Sequence, residues 1–144
     1  MERIRFGIIG LGNQGSYYAL SLFDKGAITN GIITALCDIN PAKIEAMQSR
    51  ITNKSITYFT DYKQMLDSGL CDAVLVEVPH YSHPEMVIAC LNRGINVICE
   101  KPAGVYADQV REMNAVADKK SAKFAMMFNQ RTNCVYRKMR EIML

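Results

Sequence analysis

The sequence predicts an α/β fold of the doubly wound type, in which a mostly parallel six-stranded sheet carries helices on both faces. Short apolar runs alternate six times with segments of helical character along the 144 residues. Several of these runs are apolar at nearly every position, which is typical of parallel strands covered on both sides. The length suits a single domain, so we treat residues 1–144 as one unit.

The predicted strands share a β-branched or otherwise apolar composition and are bounded by glycine, proline or polar turn residues. They are Ile4–Ile9, Gly31–Cys37, Ile56–Phe59, Ala73–Val78, Asn96–Cys99 and Lys123–Phe128. The fourth run ends where Pro79 removes a backbone donor. Because a helical segment separates each strand from the next, we expect crossover connections between parallel strands.

The predicted helices alternate with the strands and are bounded by residues that favour helix ends. They are Gln14–Lys25, Pro41 to about Ser49, a short helix from a cap at Thr60 or Asp61 to about Ser68, His83–Arg93, roughly Ala107–Lys119, and a last helix from Asn133 or Cys134. Asn40 precedes Pro41 as an N-cap. Ser82 and Glu85 have the form of a capping box, and Gly94 fits a C-terminal cap.

Charge and hydropathy argue against two classes of partner. The net charge is +3, from 17 basic and 14 acidic residues. The basic residues are scattered and form no stripe with interleaved aromatic residues, so we predict no nucleic-acid binding. No apolar run approaches the roughly 20 residues that span a bilayer. The first residues lack the apolar region of a signal peptide, so we predict no membrane association.

The cysteines and histidines indicate neither a disulfide framework nor a metal site. The five cysteines are odd in number and form no C-x-x-C pair. Free thiols suit a reducing compartment, so we expect a cytoplasmic protein. His80 and His83 have an H-x-x-H spacing, but a zinc site needs three or four ligands and none lies nearby in the sequence. We therefore predict no metal.

A glycine loop joins the first strand to the first helix. Its sequence, Gly10-Leu11-Gly12-Asn13-Gln14-Gly15, has the G-x-G-x-x-G form. In a dinucleotide site the three glycines permit a tight turn, a close approach of the pyrophosphate and close packing of the helix. The helix N-terminus then offers N–H groups to the phosphates. The loop therefore predicts a cofactor site that includes Asn13 and Gln14.

An acidic residue follows the second strand at the distance that the glycine loop requires. Asp38 lies 23 residues after Gly15, close to the spacing of the acid that binds a ribose hydroxyl. A carboxylate there repels a 2′-phosphate, which favours NAD over NADP. Ile39 belongs to the same predicted contact, while Lys43 can still reach a phosphate. The alternative is that Asp38 only begins the turn into the second helix.

A lysine follows the fifth strand in the sequence Glu100-Lys101-Pro102. In an open parallel sheet ligands bind beyond the carboxyl ends of the strands, so Lys101 is expected at the mouth of the cofactor cleft. There it can donate a hydrogen bond to a substrate oxygen and assist proton transfer. Position alone equally allows a solvent-exposed lysine before a proline loop.

Four features taken together resemble the Gfo/Idh/MocA oxidoreductases. These are the glycine loop, the acid Asp38, the Glu100-Lys101-Pro102 step and the sequence Asn129-Gln130-Arg131 after the sixth strand. The family includes glucose–fructose oxidoreductase, inositol dehydrogenases and rhizopine-catabolism proteins. The resemblance implies a nicotinamide-binding Rossmann domain, and it implies that these 144 residues lack a C-terminal substrate and oligomerisation domain.

The resemblance also implies roles for individual residues. Lys101 becomes the catalytic lysine next to nicotinamide and substrate, with a cis peptide bond to Pro102, and Glu100 lies near the nicotinamide ribose. In the loop after the fourth strand Pro79 and His83 match the family residues, whereas His80 departs from the usual asparagine. Expected binding residues are Gly10, Gly12, Asn13, Gln14, Gly15, Asp38, Ile39, Pro79, His80, His83, Glu100 and Lys101.

The implied function is hydride transfer between NAD, or NADP, and a secondary alcohol or ketone of a sugar, inositol or related polyol. The full-length enzyme is expected to form homo-oligomers, and the 144 residues alone are expected to bind cofactor with little turnover. The alternative is a non-catalytic dinucleotide sensor with the same fold. The retained Glu100-Lys101 pair favours the enzyme, because a sensor can dispense with the lysine.

Overall fold

The computed structural model describes residues 3–144, and Met1 and Glu2, which the sequence analysis places ahead of the first strand, lie outside the described residues. Six strands form one sheet. They are β1 (Ile4–Ile9), β2 (Gly31–Cys37), β3 (Thr57–Phe59), β4 (Ala73–Val76), β5 (Asn96–Glu100) and β6 (Phe124–Met127). Their spatial order is β3-β2-β1-β4-β5-β6 and every pair is parallel, which confirms the doubly wound α/β fold.

Helices connect the strands and follow the last one. They are α1 (Asn13–Tyr17, continued as a π-helix over Tyr18–Asp24), α2 (Pro41–Arg50), α3 (Tyr62–Asp67), α4 (His83–Asn92), α5 (Ala107–Ala117) and α6 (Cys134–Met143). Short 3-10 turns precede α4 at His80–Ser82 and α6 at Asn129–Thr132. The side chains of Asn40, Asp61 and Asn133 cap α2, α3 and α6, which confirms the helix starts expected at these residues.

Two apolar clusters cover the two faces of the sheet. Successive residues of β4 belong to opposite clusters, as expected for a strand. Val74 and Val76 pack with α3, α4 and α5, and Leu75 packs with α1 and α2. β1 lies between β2 and β4 in the sheet, and the strand order reverses between β1 and β4. Ligands of open α/β sheets bind at the carboxyl edge beside such a reversal. The fold therefore brings the ends of β1, β2, β4 and β5 to one edge.

The fourth strand is two residues shorter than the sequence predicts. Its ladder with β1 ends at the pair Ile9↔Val76, and its ladder with β5 ends at Val76↔Cys99. The Glu77 N–H still donates to the Ile9 carbonyl at 2.8 Å, but the chain then turns toward Pro79. The apolar run to Val78 predicts that a strand forms here. The last residue of the strand depends instead on where the ladders with β1 and β5 end.

The capping box predicted at the start of α4 is wrong. Ser82 lies in a helical conformation at the end of a 3-10 turn, and its side chain makes no capping hydrogen bond. The Glu85 carboxylate instead accepts a hydrogen bond of 2.6 Å from the Tyr62 hydroxyl on α3. A contact between two helices thus replaces the local contact that the sequence pattern indicated. Gly94 follows α4 with φ +73, as expected for a C-terminal cap.

The last helix has an exposed apolar face. Val135, Met139, Ile142 and Met143 are all at least half exposed, and α6 has no buried residue. Within residues 3–144, no helix is both long and apolar enough to cross a membrane.

Candidate cofactor and hydride-transfer site

The glycine loop is fixed by contacts that leave no room for side chains at two of its three glycines. Gly10 has φ +98, and a Cβ there would lie 2.4 Å from the Glu77 carbonyl oxygen. A Cβ on Gly15 would lie 1.9 Å from the Gly10 carbonyl oxygen. Any side chain at either position therefore collides with backbone. These two glycines are required by the packing of the protein itself.

Gly12 differs, because nothing lies within 4 Å of the position that its Cβ would take. No contact among the described residues demands a glycine there. Gly12 is the N-cap of α1, so this open space lies over the helix N-terminus, where backbone N–H groups have no helical acceptor. Asn13 and Gln14 follow it and are exposed. This open space and the N–H groups of the helix N-terminus fit a pyrophosphate.

Asp38 is buried and joins the glycine loop to the end of β2. The residue is 5% exposed. Oδ2 accepts a hydrogen bond of 2.7 Å from the Leu11 N–H, and Oδ1 accepts one of 2.9 Å from the Asn40 N–H. The Lys43 ammonium donates to Oδ2 at 3.2 Å. Asp38 therefore holds the loop in place, a role that the sequence analysis did not assign, while Ile39 beside it is 88% exposed.

The turn after β4 brings Pro79, His80 and His83 to the same edge. The three residues differ in their exposure. Pro79 and His80 are exposed. His83, which the sequence analysis includes among the expected binding residues, is 0% exposed, and its ring lies between two backbone segments. Its Nδ1 lies 2.7 Å from the Pro102 carbonyl oxygen and its Nε2 lies 2.8 Å from that of Val78.

The two partners of His83 are both acceptors, so a neutral ring satisfies one of them and a doubly protonated ring satisfies both. The ring joins the exit of β4 to the turn after β5. It thereby fixes the distance between the two loops that border this part of the edge. This contact supports a positioning role for His83, and its contact with cofactor stays a prediction.

Lys101 begins the turn after β5 and its side chain is exposed at the carboxyl edge. The Lys101–Pro102 peptide is cis, as the family resemblance implied. The Lys101 N–H donates to Oε2 of Glu100 at 3.0 Å. The Lys101 side chain is thus exposed at the edge, while its backbone N–H is held by the preceding residue.

Glu100 is 7% exposed and accepts hydrogen bonds at both oxygens. Besides the Lys101 N–H at Oε2, the Tyr18 hydroxyl donates to Oε1 at 2.7 Å. Burial and this hydrogen bond raise the pKa of Tyr18, so its hydroxyl keeps its proton and remains a donor. Tyr18 is a site residue that the sequence analysis did not identify.

Glu77 is a second buried acid that the sequence analysis passed over as part of the fourth strand. It is 9% exposed, and both carboxyl oxygens are buried without a hydrogen-bond partner among residues 3–144. Burial, together with the nearby charge of Glu100, raises the pKa of Glu77 to about 8. An acidic residue inside an apolar run was the available signal, since such residues are seldom buried without a partner.

The five cysteines form no disulfide bond among residues 3–144. Cys37, Cys71, Cys90 and Cys99 are buried free thiols, and Cys134 is exposed and also free. Across residues 3–144, no three His, Cys, Asp or Glu side chains are grouped closely enough to hold a metal ion.

The fold and this edge define the class: a Rossmann domain with a dinucleotide-binding glycine loop. The family GFO_IDH_MocA, described as an oxidoreductase family with an NAD-binding Rossmann fold, matches residues 4–128. The chain belongs to this family.

Individual relatives agree with the family assignment. The chain is 28% identical over 138 residues to the myo-inositol 2-dehydrogenase of Thermotoga maritima, a match that covers 96% of this chain and 40% of that protein. The crystal structure of myo-inositol 2-dehydrogenase from Lactobacillus plantarum superposes with a TM-score of 0.88 at 32% identity, over 99% of this chain and 41% of that one.

A third relative was solved with bound ligands. The WlbA dehydrogenase from Chromobacterium violaceum, in complex with NADH and UDP-GlcNAcA, superposes with a TM-score of 0.83 at 26% identity, over 92% of this chain and 37% of that one. The chain therefore spans about two fifths of the length of these relatives, as in the 41% covered for the Lactobacillus plantarum enzyme.

Proposed function

We propose that this chain binds a nicotinamide dinucleotide across the carboxyl edge of its sheet, and that the full-length enzyme transfers hydride between the nicotinamide and a secondary alcohol or ketone. The substrate class is a sugar, inositol or related polyol. The observation that carries the proposal is the open space at Gly12 over the N-terminus of α1, at the same edge as the exposed Lys101.

Each half of the dinucleotide has its own proposed contacts. The pyrophosphate lies against Gly10–Gly15, where the first-turn N–H groups of α1, at Asn13 and Gln14 among others, donate to its oxygens. Asp38 and Ile39 contact the adenosine ribose. The nicotinamide half extends toward β4 and β5. There Pro79, His80 and His83 border it, and Glu100 lies near its ribose.

Lys101 is the proposed catalytic residue. Bound nicotinamide supplies the carbon that accepts or gives the hydride. The Lys101 ammonium donates a hydrogen bond to the substrate oxygen in the ketone direction, and the neutral amine accepts the hydroxyl proton in the alcohol direction. The Glu100 carboxylate accepts from the Lys101 N–H and so holds the backbone from which the lysine extends.

NAD is the proposed cofactor, and NADP is proposed as a second ligand of the same site. The Asp38 carboxylate alone would repel a 2′-phosphate. Lys43 lies 3.2 Å from it, is about half exposed, and lines an open cleft with Gly12 and Asn13. Its positive charge offsets the repulsion, so we expect a preference for NADH of less than about a hundredfold, or about 3 kcal/mol.

The remaining parts of the proposal concern the full-length protein. We infer a C-terminal domain that closes the site, selects the substrate and contributes to a homo-oligomer. The share of its relatives that this chain spans, such as 40% of the Thermotoga maritima enzyme, supports this inference. The free thiols support a cytoplasmic location.

Two glycine variants test the cofactor site. Gly12→Ala adds a methyl group to open space, so we expect it to change the free energy of unfolding by less than about 1 kcal/mol and to weaken NADH binding by at least about tenfold. Gly15→Ala is the matched contrast. Its Cβ meets backbone, so we expect it to destabilise the fold by about 2–4 kcal/mol without any ligand.

Nicotinamide fluorescence with purified chain measures binding, and thermal unfolding without cofactor measures stability. Equal NADH affinity of wild type and Gly12→Ala would overturn the placement of the pyrophosphate. For catalysis, Lys101→Met in the full-length enzyme should lower kcat on inositols and sugars by at least about a hundredfold while NADH still binds. If kcat is retained, Lys101 is not the catalytic residue, and if wild type binds cofactor without turnover on any substrate, the dinucleotide sensor becomes the better account.

A further inference from the structure

Glu77 is the buried acid of this edge that the proposed reaction does not use. It follows β4 on the face of the sheet that Leu75 shares with α1 and α2. Both carboxyl oxygens are buried and have no hydrogen-bond partner among residues 3–144. A carboxylate in such a place has lost its hydration and gained no donors, so the neutral acid is the favoured form.

The position of Glu77 places it directly beneath the glycine loop. Its Cβ is 3.3 Å from the point that a Gly15 Cβ would occupy, and its carbonyl oxygen is 2.4 Å from the corresponding point at Gly10. The proposed pyrophosphate lies on the other side of the same loop. The glycine loop therefore lies between Glu77 and the proposed pyrophosphate, and the low-dielectric interior of a protein screens charge poorly.

Among residues 3–144, the titratable groups that interact electrostatically with Glu77 come from β5 and α1. On β5 they are Glu100 and Cys99, and on α1 the group is Tyr18. The glycine loop, residues 10–15, contributes no titratable side chain. Burial raises the pKa of Cys99 to about 12 and that of Tyr18 above its ordinary value, so both stay protonated near neutral pH. The pKa of Glu77, raised to about 8, lies within the working range of a protein.

We propose that dinucleotide binding by this chain is linked to a proton on Glu77: the cofactor binds the form in which Glu77 is a neutral carboxylic acid, and loss of that proton weakens binding. The proposal rests on the proposed cofactor function and adds a determinant of affinity outside the contact surface. Glu77 is a positioning residue in this account, since it acts on the cofactor through the glycine loop.

Charge gives the sign of the effect and a difference between the two redox forms. The pyrophosphate carries two negative charges, which an ionised Glu77 repels. The oxidised nicotinamide carries a positive charge that the reduced nicotinamide lacks. Ionisation of Glu77 is therefore expected to weaken the binding of NADH more than the binding of NAD. If bound NADH raises the pKa of Glu77 by about one, its Kd increases about tenfold as the pH rises from 7 to 10.

The first experiment measures Kd for NADH and NAD between pH 6.5 and 10 in wild type, Glu77→Gln and Glu112→Gln. Glu112 is an exposed residue of α5, so its variant removes the same charge away from the site. We expect wild type and Glu112→Gln to lose affinity above pH 7, more for NADH than for NAD, and Glu77→Gln to lose markedly less. A parallel loss in Glu77→Gln overturns the proposal.

The second experiment needs no variant. Calorimetric titration of wild type with NADH at pH 8, in two buffers of different ionisation enthalpy, counts the protons taken up per cofactor bound. We expect a clear fractional uptake, and zero uptake overturns the proposal even if Glu77→Gln fails to fold. Absence of NADH binding at every pH is a different result, because it removes the proposed cofactor function itself.

Discussion

Two buried carboxyl groups lie on either side of β1 at the carboxyl edge of the sheet, and their surroundings are opposite. Asp38, after β2, accepts hydrogen bonds from two backbone N–H groups and from the Lys43 ammonium. Glu77, after β4, has no hydrogen-bond partner among residues 3–144. A buried carboxyl group without hydrogen-bond donors favours its neutral form. The two acids at this edge thus differ in their hydrogen bonding, and burial without a partner raises the pKa of Glu77 to about 8.

The largest expected effect is the loss of the acceptors at Asp38. Asp38→Ala leaves the Leu11 and Asn40 N–H groups without their partner, so we expect the free energy of unfolding to fall by about 2–4 kcal/mol. Urea denaturation at pH 7 without cofactor measures this loss. Asp38→Asn keeps one acceptor oxygen and should lose roughly half as much. A change below about 1 kcal/mol for Asp38→Ala would contradict the role of this acid in holding the loop.

Removal of the carboxyl group at Glu77 is expected to raise the free energy of unfolding, which is the opposite of the effect at Asp38. The folded chain keeps the Glu77 proton up to a pKa of about 8, while the unfolded chain releases it near the ordinary value of 4.5. This group therefore lowers stability progressively as pH rises from about 5 to about 8. At pH 9 we expect Glu77→Leu to be more stable than wild type by about 1–2 kcal/mol.

Urea denaturation of Glu77→Leu, Glu112→Gln and wild type at pH 5 and pH 9 tests this expectation. Glu112→Gln removes an exposed acid and should follow the wild-type dependence on pH. If Glu77→Leu is less stable than wild type at pH 9, the carboxyl group has partners in solution and the contrast with Asp38 fails.

A smaller effect is expected at Tyr18, which donates to the Glu100 carboxylate. Tyr18→Phe removes this 2.7 Å hydrogen bond with little change of shape, so we expect a loss of about 1 kcal/mol in the free energy of unfolding. Tyr17→Phe is the matched control, since the neighbouring tyrosine is 52% exposed and its variant should be nearly neutral. Equal losses in the two variants would show that the hydroxyl of Tyr18 contributes nothing particular.

The smallest effect on stability is expected at Lys43. Its ion pair with Asp38 is about half exposed on the lysine side, so Lys43→Ala should cost no more than about 1 kcal/mol. Its effect on specificity should be clearer, because an uncompensated Asp38 repels the 2′-phosphate. We expect the Kd for NADPH to increase several-fold more than that for NADH, with Lys120→Ala as the control. An unchanged ratio would remove Lys43 from cofactor selection.

Local sequence patterns were sufficient for the parts of this edge that depend on neighbours in the chain. β1 and β2 have the predicted bounds, because each apolar run is limited by a glycine or a polar residue. The glycine loop and the position of Asp38 after β2 also follow from spacing along the chain. The cis peptide bond before Pro102 came from the family resemblance rather than from any local pattern.

The remaining features depend on contacts between distant segments. Tyr18 meets Glu100 across 82 positions of sequence, and no periodicity marks it as a partner. The capping box predicted at Ser82 does not form, and the Glu85 carboxylate instead accepts a hydrogen bond from the Tyr62 hydroxyl on α3. Glu77 was visible as an acid in an apolar run, but its lack of partners is a property of the folded chain. The position of His83 in the loop after β4 follows from the sequence, but its complete burial depends on the carbonyl groups of Val78 and Pro102.

A nicotinamide dinucleotide is proposed to lie across this edge, from the glycine loop to Lys101. Two-dimensional ¹⁵N NMR of the chain titrated with NADH at pH 7 tests it residue by residue. We predict that the largest shifts of backbone N–H signals fall at residues 10–15, 38–39 and 100–101, while Gly26, Gly69 and Gly94, which end helices far from this edge, stay unchanged. Saturating NADH without shifts at residues 10–15, or with its largest shifts at those three glycines, would contradict the account.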